Sequence, residues 1–142
     1  MRVIHILDHS IPLQSGYAIR TQAILKEQRA LGWETFHITG PKQGPAVAAE
    51  EQVDGWMFYR TPPPGGILEG VPGLSSLELM GEIAYRIEQV ARRIQPHLLH
   101  AHSPVLNAIP ALRVGRRLGI PVVYEVRALW EDASAGHGAG VG

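Results

Sequence analysis

The segment PHLLHAHSP at residues 96–104 decides the fold, because it places a short strand between two helix boundaries. Pro96 ends the preceding helical segment, since proline has no N–H with which to continue a helix. Residues 97–102 are typical of a buried strand, and Ser103 with Pro104 supplies an N-cap and a first helical residue. A strand with a helix on either side is the repeating unit of a parallel sheet.

Helical segments recur on both sides of this strand. Residues 74–94 predict a helix with one apolar stripe, and residues 104–118 predict a second helix, which Gly119 closes. A third helix is predicted at residues 17–31, before Gly32. The supporting apolar positions are Leu79, Ile83, Ile87, Val90 and Ile94 in the first helix and Ala23, Ile24, Ala30 and Leu31 in the third, and the candidate N-cap of the first helix is Ser75 or Ser76.

Four further segments predict strands, and together they define the fold class. They are residues 3–7, 35–39, 56–60 and 121–126, with a hairpin signal at Asp54-Gly55. Strands alternating with helices predict an α/β fold, a Rossmann-like parallel sheet with helices on both faces. Ligands of such sheets bind beyond the carboxyl ends of the strands, at the point where strand order reverses. We therefore expect functional residues just after Leu7, His102 and Val126.

Length and composition exclude several classes of protein. The 142 residues suit one domain, with 45% hydrophobic residues and thirteen basic residues balancing thirteen acidic ones. A net charge of zero gives no field for nucleic acid, so we expect no nucleic-acid partner. The absence of cysteine excludes disulfides, thiolate nucleophiles and cysteine zinc sites. No apolar run is long enough for a signal peptide or a membrane span, and we expect a cytoplasmic protein.

A loop that runs into a helix offers the first candidate site. Ser15 and Gly16 precede the helix, and Arg20 lies in its opening turns. Backbone N–H groups at a helix start bind anions, and a glycine lets the ligand approach, so a diphosphate is the expected guest. The alternative is that Ser15 only caps the helix. Neither GxGxxG nor GxxxxGK[ST] occurs, which argues against a dinucleotide site and excludes a P-loop.

The second candidate site is formed by histidines around the strand at residues 97–102. His102 and Ser103 lie at its carboxyl end and are candidates to bind a polar ligand, while a structural role for His102 is the alternative. His100 lies further inside and is interpreted as a core histidine. Alternation puts His100 and His102 on one face and His97 on the other, so these three histidines do not converge on a metal and we expect no metal site.

The third candidate site lies at the end of the last predicted strand, residues 121–126. Glu125 and Arg127 alternate onto one side of the sheet edge, where a charge pair is costly unless it is solvated or used. Arg127 is therefore a candidate to contact a phosphate or a sugar hydroxyl, and Glu125 to hold Arg127 or accept from the substrate. A structural ion pair is the alternative.

An apolar, proline-rich segment follows the strand at residues 56–60. Its hydrophobic side chains suit a lipid-linked substrate or a peripheral membrane contact, with ordinary packing as the alternative. These side chains are Ile67, Leu68, Val71, Leu74 and Leu77.

In order and spacing, four motifs resemble the N-terminal domain of glycosyltransferase family 4, the retaining GT-B enzymes. They are ILD at residues 6–8 with Ser15-Gly16, RALGWE at 29–34, PHLLHAHSP at 96–104 and GIPVVYEVR at 119–127. Two sequence segments, LDHSIP at residues 7–12 and RALWED at 127–132, most resemble those of the exosortase-associated enzymes of exopolysaccharide synthesis.

The resemblance implies transfer of a sugar, with retention, from a nucleotide diphosphate sugar to a glycan or lipid-linked glycan, with no cofactor. It also implies donor phosphates at Ser15, Gly16 and Arg20 and catalysis by Arg127 and Glu125. The expected acceptor-binding residues are His9, His102 and Ser103. Two departures from the family pattern are Ser15 in place of a second glycine and Arg127 in place of a histidine.

The chain as a whole then corresponds to an acceptor-side domain, residues 1–142, without the donor-binding domain. Residues 127–142 are expected to form an interrupted loop. Two alternatives are a non-catalytic glycan- or anion-binding module and part of a GT-B nucleotide-sugar epimerase.

Overall fold

A computed structural model describes residues 1–43, 48–62 and 74–127. The predicted apolar segment around Ile67, Leu68 and Val71 and most of the interrupted loop at residues 127–142 lie outside the described residues. In chain order the elements are β1 (Arg2–Leu7), α1 (Gly16–Ala30), β2 (Glu34–Thr39), a 3-10 turn (Pro41–Gln43), β3 (Glu50–Val53), β4 (Trp56–Arg60), α2 (Leu74–Ile94), β5 (Leu98–His102), α3 (Val105–Leu118) and β6 (Val122–Glu125).

The strands form one six-stranded sheet in the order β3-β4-β2-β1-β5-β6. All neighbouring pairs are parallel except β3 with β4. Those two strands form the hairpin that the sequence predicts, because Asp54 and Gly55 at its turn have φ values of 52° and 83°. Strand β3 itself was not predicted. The order of strands reverses between β1 and β5, as expected, which places the switch point at their carboxyl ends.

Helices cover both faces of the sheet. Ile4 and Ile6 of β1 belong to a buried cluster with Ile83 and Ile87 of α2 and with Val114 of α3. The alternate residues of β1 point the other way, toward α1, where the ring of His5 contacts Gln28. The α/β fold class predicted from the sequence is therefore confirmed. None of the described helices is both long enough and apolar enough to cross a membrane.

The ends of α2 and α3 refine the sequence predictions. Helix α2 has the predicted bounds, and Ile83, Ile87 and Val90 of its stripe are buried. Because α2 begins at Leu74, Ser75 and Ser76 lie inside the helix rather than at its N-cap position. Helix α3 begins one residue later than predicted, with Pro104 as its N-cap, so the expectation that Ser103 caps it was wrong.

Helix α1 turns a different face inward from the one predicted. Its buried residues are Ala18, Thr21 and Leu25, whereas the expected stripe member Leu31 is 70% exposed. Ala23 and Ala30 are exposed as well. The end of the helix agrees with the sequence, because Gly32 has a φ of 87° and its N–H donates to the Arg29 carbonyl. The inner face of α1 is therefore partly polar, and its polar residues Thr21 and Gln28 belong to the candidate site described below.

Candidate functional site

The start of α1 has the geometry of an anion site. Ser15 is the N-cap, with an extended backbone, and its hydroxyl accepts from Ala18 N–H at 3.0 Å, so the predicted cap is confirmed. The N–H of Ile19 donates to the Ser15 carbonyl. Among the described residues the amides of Gly16 and Tyr17 have no such partner, so they remain for a ligand, as is usual in a first helical turn. A Cβ placed on Gly16 would meet nothing within 4 Å, so the space in front of it is open.

The loop after β1 is tied to the same helix start. His9 Nδ1 lies 2.9 Å from Asp8 Oδ2, and His9 Nε2 lies 2.8 Å from Ser15 Oγ. A carboxylate only accepts, so His9 Nδ1–H donates to Asp8. The His9 ring also stacks on Tyr17, with centroids 4.7 Å apart. His9 thus stands beside the N-terminus of α1 with its orientation fixed.

Tyr17 joins three elements at the carboxyl edge of the sheet. Its hydroxyl accepts from Asp8 N–H at 3.0 Å and donates to the Ser103 carbonyl at 2.8 Å. Burial raises the pKa of Tyr17 to about 12, so the hydroxyl keeps its proton and both bonds persist at neutral pH. The ends of β1 and β5 are thereby held against α1.

Arg127 follows β6 and reaches across to α1. Its Nη1 donates to the Tyr17 carbonyl at 2.8 Å, and its Nη2 donates to Thr21 Oγ1 at 2.6 Å and to His102 Nδ1 at 2.7 Å. The guanidinium also lies 4.1 Å from the centroid of the Tyr17 ring. The side chain is only 6% exposed. Arg127 is therefore a buried cation whose direction is set by α1 and His102.

Glu125 lies beside Arg127 on the same side of the sheet edge, as predicted. Its Oε1 accepts from His100 Nε2 at 2.9 Å. Its Oε2 is 3.6 Å from Arg127 Nε and 3.7 Å from Arg20 Nη2. Among the described residues, neither Glu125 Oε2 nor Arg127 Nε has a hydrogen-bond partner, although both atoms are buried. Unsatisfied groups of this kind mark a place where a ligand hydroxyl can complete the bonding after a small side-chain shift.

His102 stands behind Arg127 and is fully buried. Its ring is parallel to that of His100 at 4.2 Å, which confirms that the two share a face. Its Nε2 lies 2.9 Å from His5 Nδ1, and His5 Nε2 lies 2.7 Å from Gln28 Oε1. Burial, followed by the neighbouring His100 and His5 rings and then by Arg127 and Arg20, lowers the pKa of His102 far below its usual value. His102 is therefore neutral and is shielded from any ligand by Arg127.

A possible metal cluster, different from the one weighed in the sequence, involves this histidine. His5, His100 and His102 offer nitrogens within 4.8 Å of one another, with His5 of β1 in the place of His97. Both ring nitrogens of His102 and of His5 already have partners. The Arg127 guanidinium at 2.7 Å also opposes a second cation. The donor set fits hydrogen bonding better than metal binding, and the absence of a metal site stays a prediction.

Most residues named from the sequence meet at this one edge of the sheet. Ser15, Gly16 and Arg20 lie on α1 or just before it, Ser103 follows β5, and Ser103 Oγ accepts from Arg127 N–H at 3.3 Å. Sequence reasoning missed the members that lie within regular elements, which are His5, Tyr17, Thr21 and Gln28. The available signal was their spacing, because residues 17, 21 and 28 recur on one face of a helix.

The sequence family follows from comparison with known proteins. A family described as "Glycosyl transferase 4-like domain" matches residues 15–141. The chain belongs to this glycosyl transferase 4-like family. It is 27% identical over 123 residues to a GDP-mannose-dependent alpha-mannosyltransferase of Mycobacterium tuberculosis, covering 87% of the chain and 31% of that relative. The glycosyl transferase 4-like chain thus spans about a third of the length of this curated relative.

Solved structures confirm the fold of the glycosyl transferase 4-like chain. A sucrose-phosphate synthase from Thermosynechococcus elongatus matches with a TM-score of 0.66 at 14% identity, over 94% of the chain and 35% of the synthase. The C-terminal domain of a hydrogenase from Pyrococcus furiosus matches with a TM-score of 0.58 at 14% identity, over 87% of the chain and 90% of that domain. Because a hydrogenase domain shares it, the fold by itself identifies no activity.

Proposed function

We propose that this chain is the acceptor-side domain of a retaining hexosyltransferase-type glycosyltransferase. The protein moves a sugar from a nucleotide diphosphate sugar to a glycan or lipid-linked glycan acceptor, and the isolated domain does not catalyse transfer. Family membership supports the class of reaction, and the mannosyltransferase relative makes GDP-mannose the first donor to test. The role in exopolysaccharide synthesis and a cytoplasmic location, at the inner surface of the membrane, belong to the same proposal.

The leaving diphosphate is assigned to the start of α1. When the bond between the anomeric carbon and the phosphate oxygen breaks, negative charge grows on that oxygen. Backbone N–H groups of Gly16 and Tyr17 and the dipole of α1 offer positive potential there, while the Ser15 hydroxyl lies beside them. Arg20, which is 62% exposed, adds a mobile positive charge. Donors fixed before the reaction stabilise such charge without further reorganisation.

The reacting sugar is assigned to Glu125 and Arg127. A sugar hydroxyl both donates and accepts, so one hydroxyl can accept from Arg127 Nε and donate to Glu125 Oε2, the two buried atoms that lack partners among the described residues. His9 and Ser103 flank this position and are assigned to the acceptor. His102 contributes through Arg127, because its own side chain is buried.

One observation carries the proposal. Arg20 lies about one helical turn after the open position at Gly16, and its Nη2 is 3.7 Å from Glu125 Oε2. A phosphate site and a sugar site that share one arginine suit a sugar diphosphate.

The test is a titration of the protein with GDP-mannose and with GDP, followed by NMR. We expect shifts at Gly16, Tyr17 and Arg20, and at least tenfold weaker binding in Gly16→Leu, because the side chain fills the space meant for phosphate. Gly81→Leu is the matched control, since Gly81 is also helical and a Cβ there meets nothing within 4 Å. Equal affinity of the two variants for GDP-mannose would show that the donor site is elsewhere.

The second candidate is a non-catalytic glycan- or anion-binding module. The observation in its favour is that the anion site at the start of α1, with Arg20 beside Glu125, can bind a charged ligand without any reacting group. Mannose release or transfer by the 142-residue protein alone would exclude this candidate, and would also contradict the proposed inactivity of the isolated domain.

A further inference from the structure

A line of four hydrogen-bonded side chains runs from α1 along the α1-covered face of the sheet to Arg127, which follows β6. Gln28 Oε1 lies 2.7 Å from His5 Nε2, His5 Nδ1 lies 2.9 Å from His102 Nε2, and His102 Nδ1 lies 2.7 Å from Arg127 Nη2. His5 and His102 are fully buried, so no water competes for the bond between the two rings. The line therefore behaves as a single unit.

The chemistry of arginine fixes the direction of every proton in this line. A guanidinium has donors only, so Arg127 Nη2 donates and His102 Nδ1 carries no proton. The proton of neutral His102 is then on Nε2, and it is donated to His5 Nδ1. By the same reasoning the proton of His5 is on Nε2, and it is donated to Gln28 Oε1. Burial lowers the pKa of His5 to about 3, so neither ring holds a second proton at neutral pH.

We propose that His5 and Gln28 are positioning residues, which hold His102 in its Nε2–H tautomer and thereby aim Arg127 at the reacting sugar. The role of Arg127 in this inference rests on the proposed function. In the other tautomer, His102 Nδ1–H would face the Arg127 N–H across 2.7 Å, and the guanidinium would have to turn away. Gln28, on the far side of the sheet from α2 and α3, thus controls a group with which it has no direct hydrogen bond.

The remaining contacts of Arg127 do not replace this control. The Tyr17 carbonyl and Thr21 Oγ1 accept two N–H groups from positions on α1, whereas His102 is the partner on the sheet. Arg127 Nη2 is shared between Thr21 and His102, so losing the acceptor at His102 changes the direction of that nitrogen. The tautomer of His102 decides whether the sheet attracts or repels Arg127.

The experiment reverses the polarity at the far end of the line. In Gln28→Lys the new ammonium can only donate, so His5 Nε2 must accept and the protons of His5 and His102 move to Nδ1. Gln28→Glu keeps an acceptor and serves as the conservative variant. Thr21→Val is the control, because it removes another acceptor of Arg127 without touching the two rings. Long-range 15N–1H correlation of the histidine rings at neutral pH identifies the protonated nitrogen in each protein.

We expect Nε2–H at His102 in the wild type, Gln28→Glu and Thr21→Val, and Nδ1–H in Gln28→Lys with loss of the protected Arg127 Nη2–H signal. Sugar transfer from GDP-mannose by the complete enzyme should fall about tenfold or more in kcat in Gln28→Lys and stay within about threefold in Gln28→Glu. The wild-type spectrum tests the assignment even if Gln28→Lys does not fold. Nδ1–H at His102 in the wild type overturns it.

Two further outcomes separate this inference from the proposed function. If Gln28→Lys reverses the tautomer and keeps wild-type kcat, the positioning role is wrong although the enzyme is a transferase. If no variant or wild type transfers sugar but the tautomers respond as expected, the proposed function fails and the control of Arg127 stands. Stoichiometric Zn²⁺ binding that shifts His5, His100 and His102 together would overturn the hydrogen-bonded line itself.

Discussion

Acidification below pH 6.5 should strongly destabilise this protein, because it buries neutral histidines. Burial lowers the pKa of His5 to about 3 and that of His37 to about 4, and it lowers the pKa of His102 further. In the unfolded chain each has a pKa of about 6.5. A depressed pKa in the folded state gives stability that is fully present above pH 6.5 and is lost as the pH falls below it.

The size of the effect follows from proton counting. Near pH 5 the unfolded chain binds about three more protons than the folded protein at these positions, so the free energy of unfolding falls by about 4 kcal/mol per pH unit. Integrated from pH 6.5 to pH 5, the loss is about 5 kcal/mol. The total stability of a small domain is about 5 to 15 kcal/mol, so the protein should be marginal near pH 5.

Urea unfolding at half-unit pH intervals measures this slope. His37→Gln should reduce the slope by about a third, because one of the three titrating groups is removed. Ile38→Val is the control from the same strand, and it should lower stability by about 1 kcal/mol at every pH without changing the slope. A wild-type slope below about 1.4 kcal/mol per pH unit near pH 5, equal to one proton, would refute the reasoning.

Three other substitutions test the packing around the site by urea unfolding. Gly115→Ala should destabilise the folded protein by about 1 to 3 kcal/mol, because the new Cβ would lie 2.6 Å from the Ile120 carbonyl oxygen. A neutral effect would contradict the close approach of α3 to the segment around Ile120. Arg60→Met should lower the free energy of unfolding by about 2 to 4 kcal/mol, since the buried guanidinium donates to Glu51, Thr39 and Ile11. Arg93→Met is the control at an exposed ion pair, and it should lower that free energy by less than about 1 kcal/mol. Tyr17→Phe should lower the free energy of unfolding by about 1 to 3 kcal/mol, because Asp8 N–H and the Ser103 carbonyl lose their bonds to the hydroxyl. Equal stability of Tyr17→Phe and the exposed Tyr85→Phe would contradict this role of the Tyr17 hydroxyl.

The parts of the fold that depend on a regular pattern could be predicted from the sequence. Helix α2 shows this, because its apolar residues recur at helical spacing and its bounds agree with the prediction. The turn at Asp54 and Gly55 was also recognisable, since a two-residue hairpin turn needs positive φ at both positions and Asp-Gly adopts it readily. Strand β3 was not, because EEQV at residues 50–53 has one apolar residue and becomes a strand only by pairing with β4.

The candidate site was predictable where residues follow strands and not where they lie inside elements. Glu125 and Arg127 were found because alternation places both on one side of the sheet edge. His5 was not, because a histidine inside an apolar strand has no local signal of its partner 97 residues away. The bond between His102 and Arg127 could not be foreseen either, since the two residues lie on different elements and 25 positions apart.

The polar inner face of α1 has a consequence for anyone who engineers this protein. Thr21→Ala would improve helix formation by common propensity scales and Gln28→Leu would leave it about equal, so neither change would score as destabilising. Each would also delete an acceptor that holds Arg127 or the histidine behind it. A library scored by helix propensity alone would therefore accept substitutions that release Arg127, so Thr21 and Gln28 should be kept fixed in it.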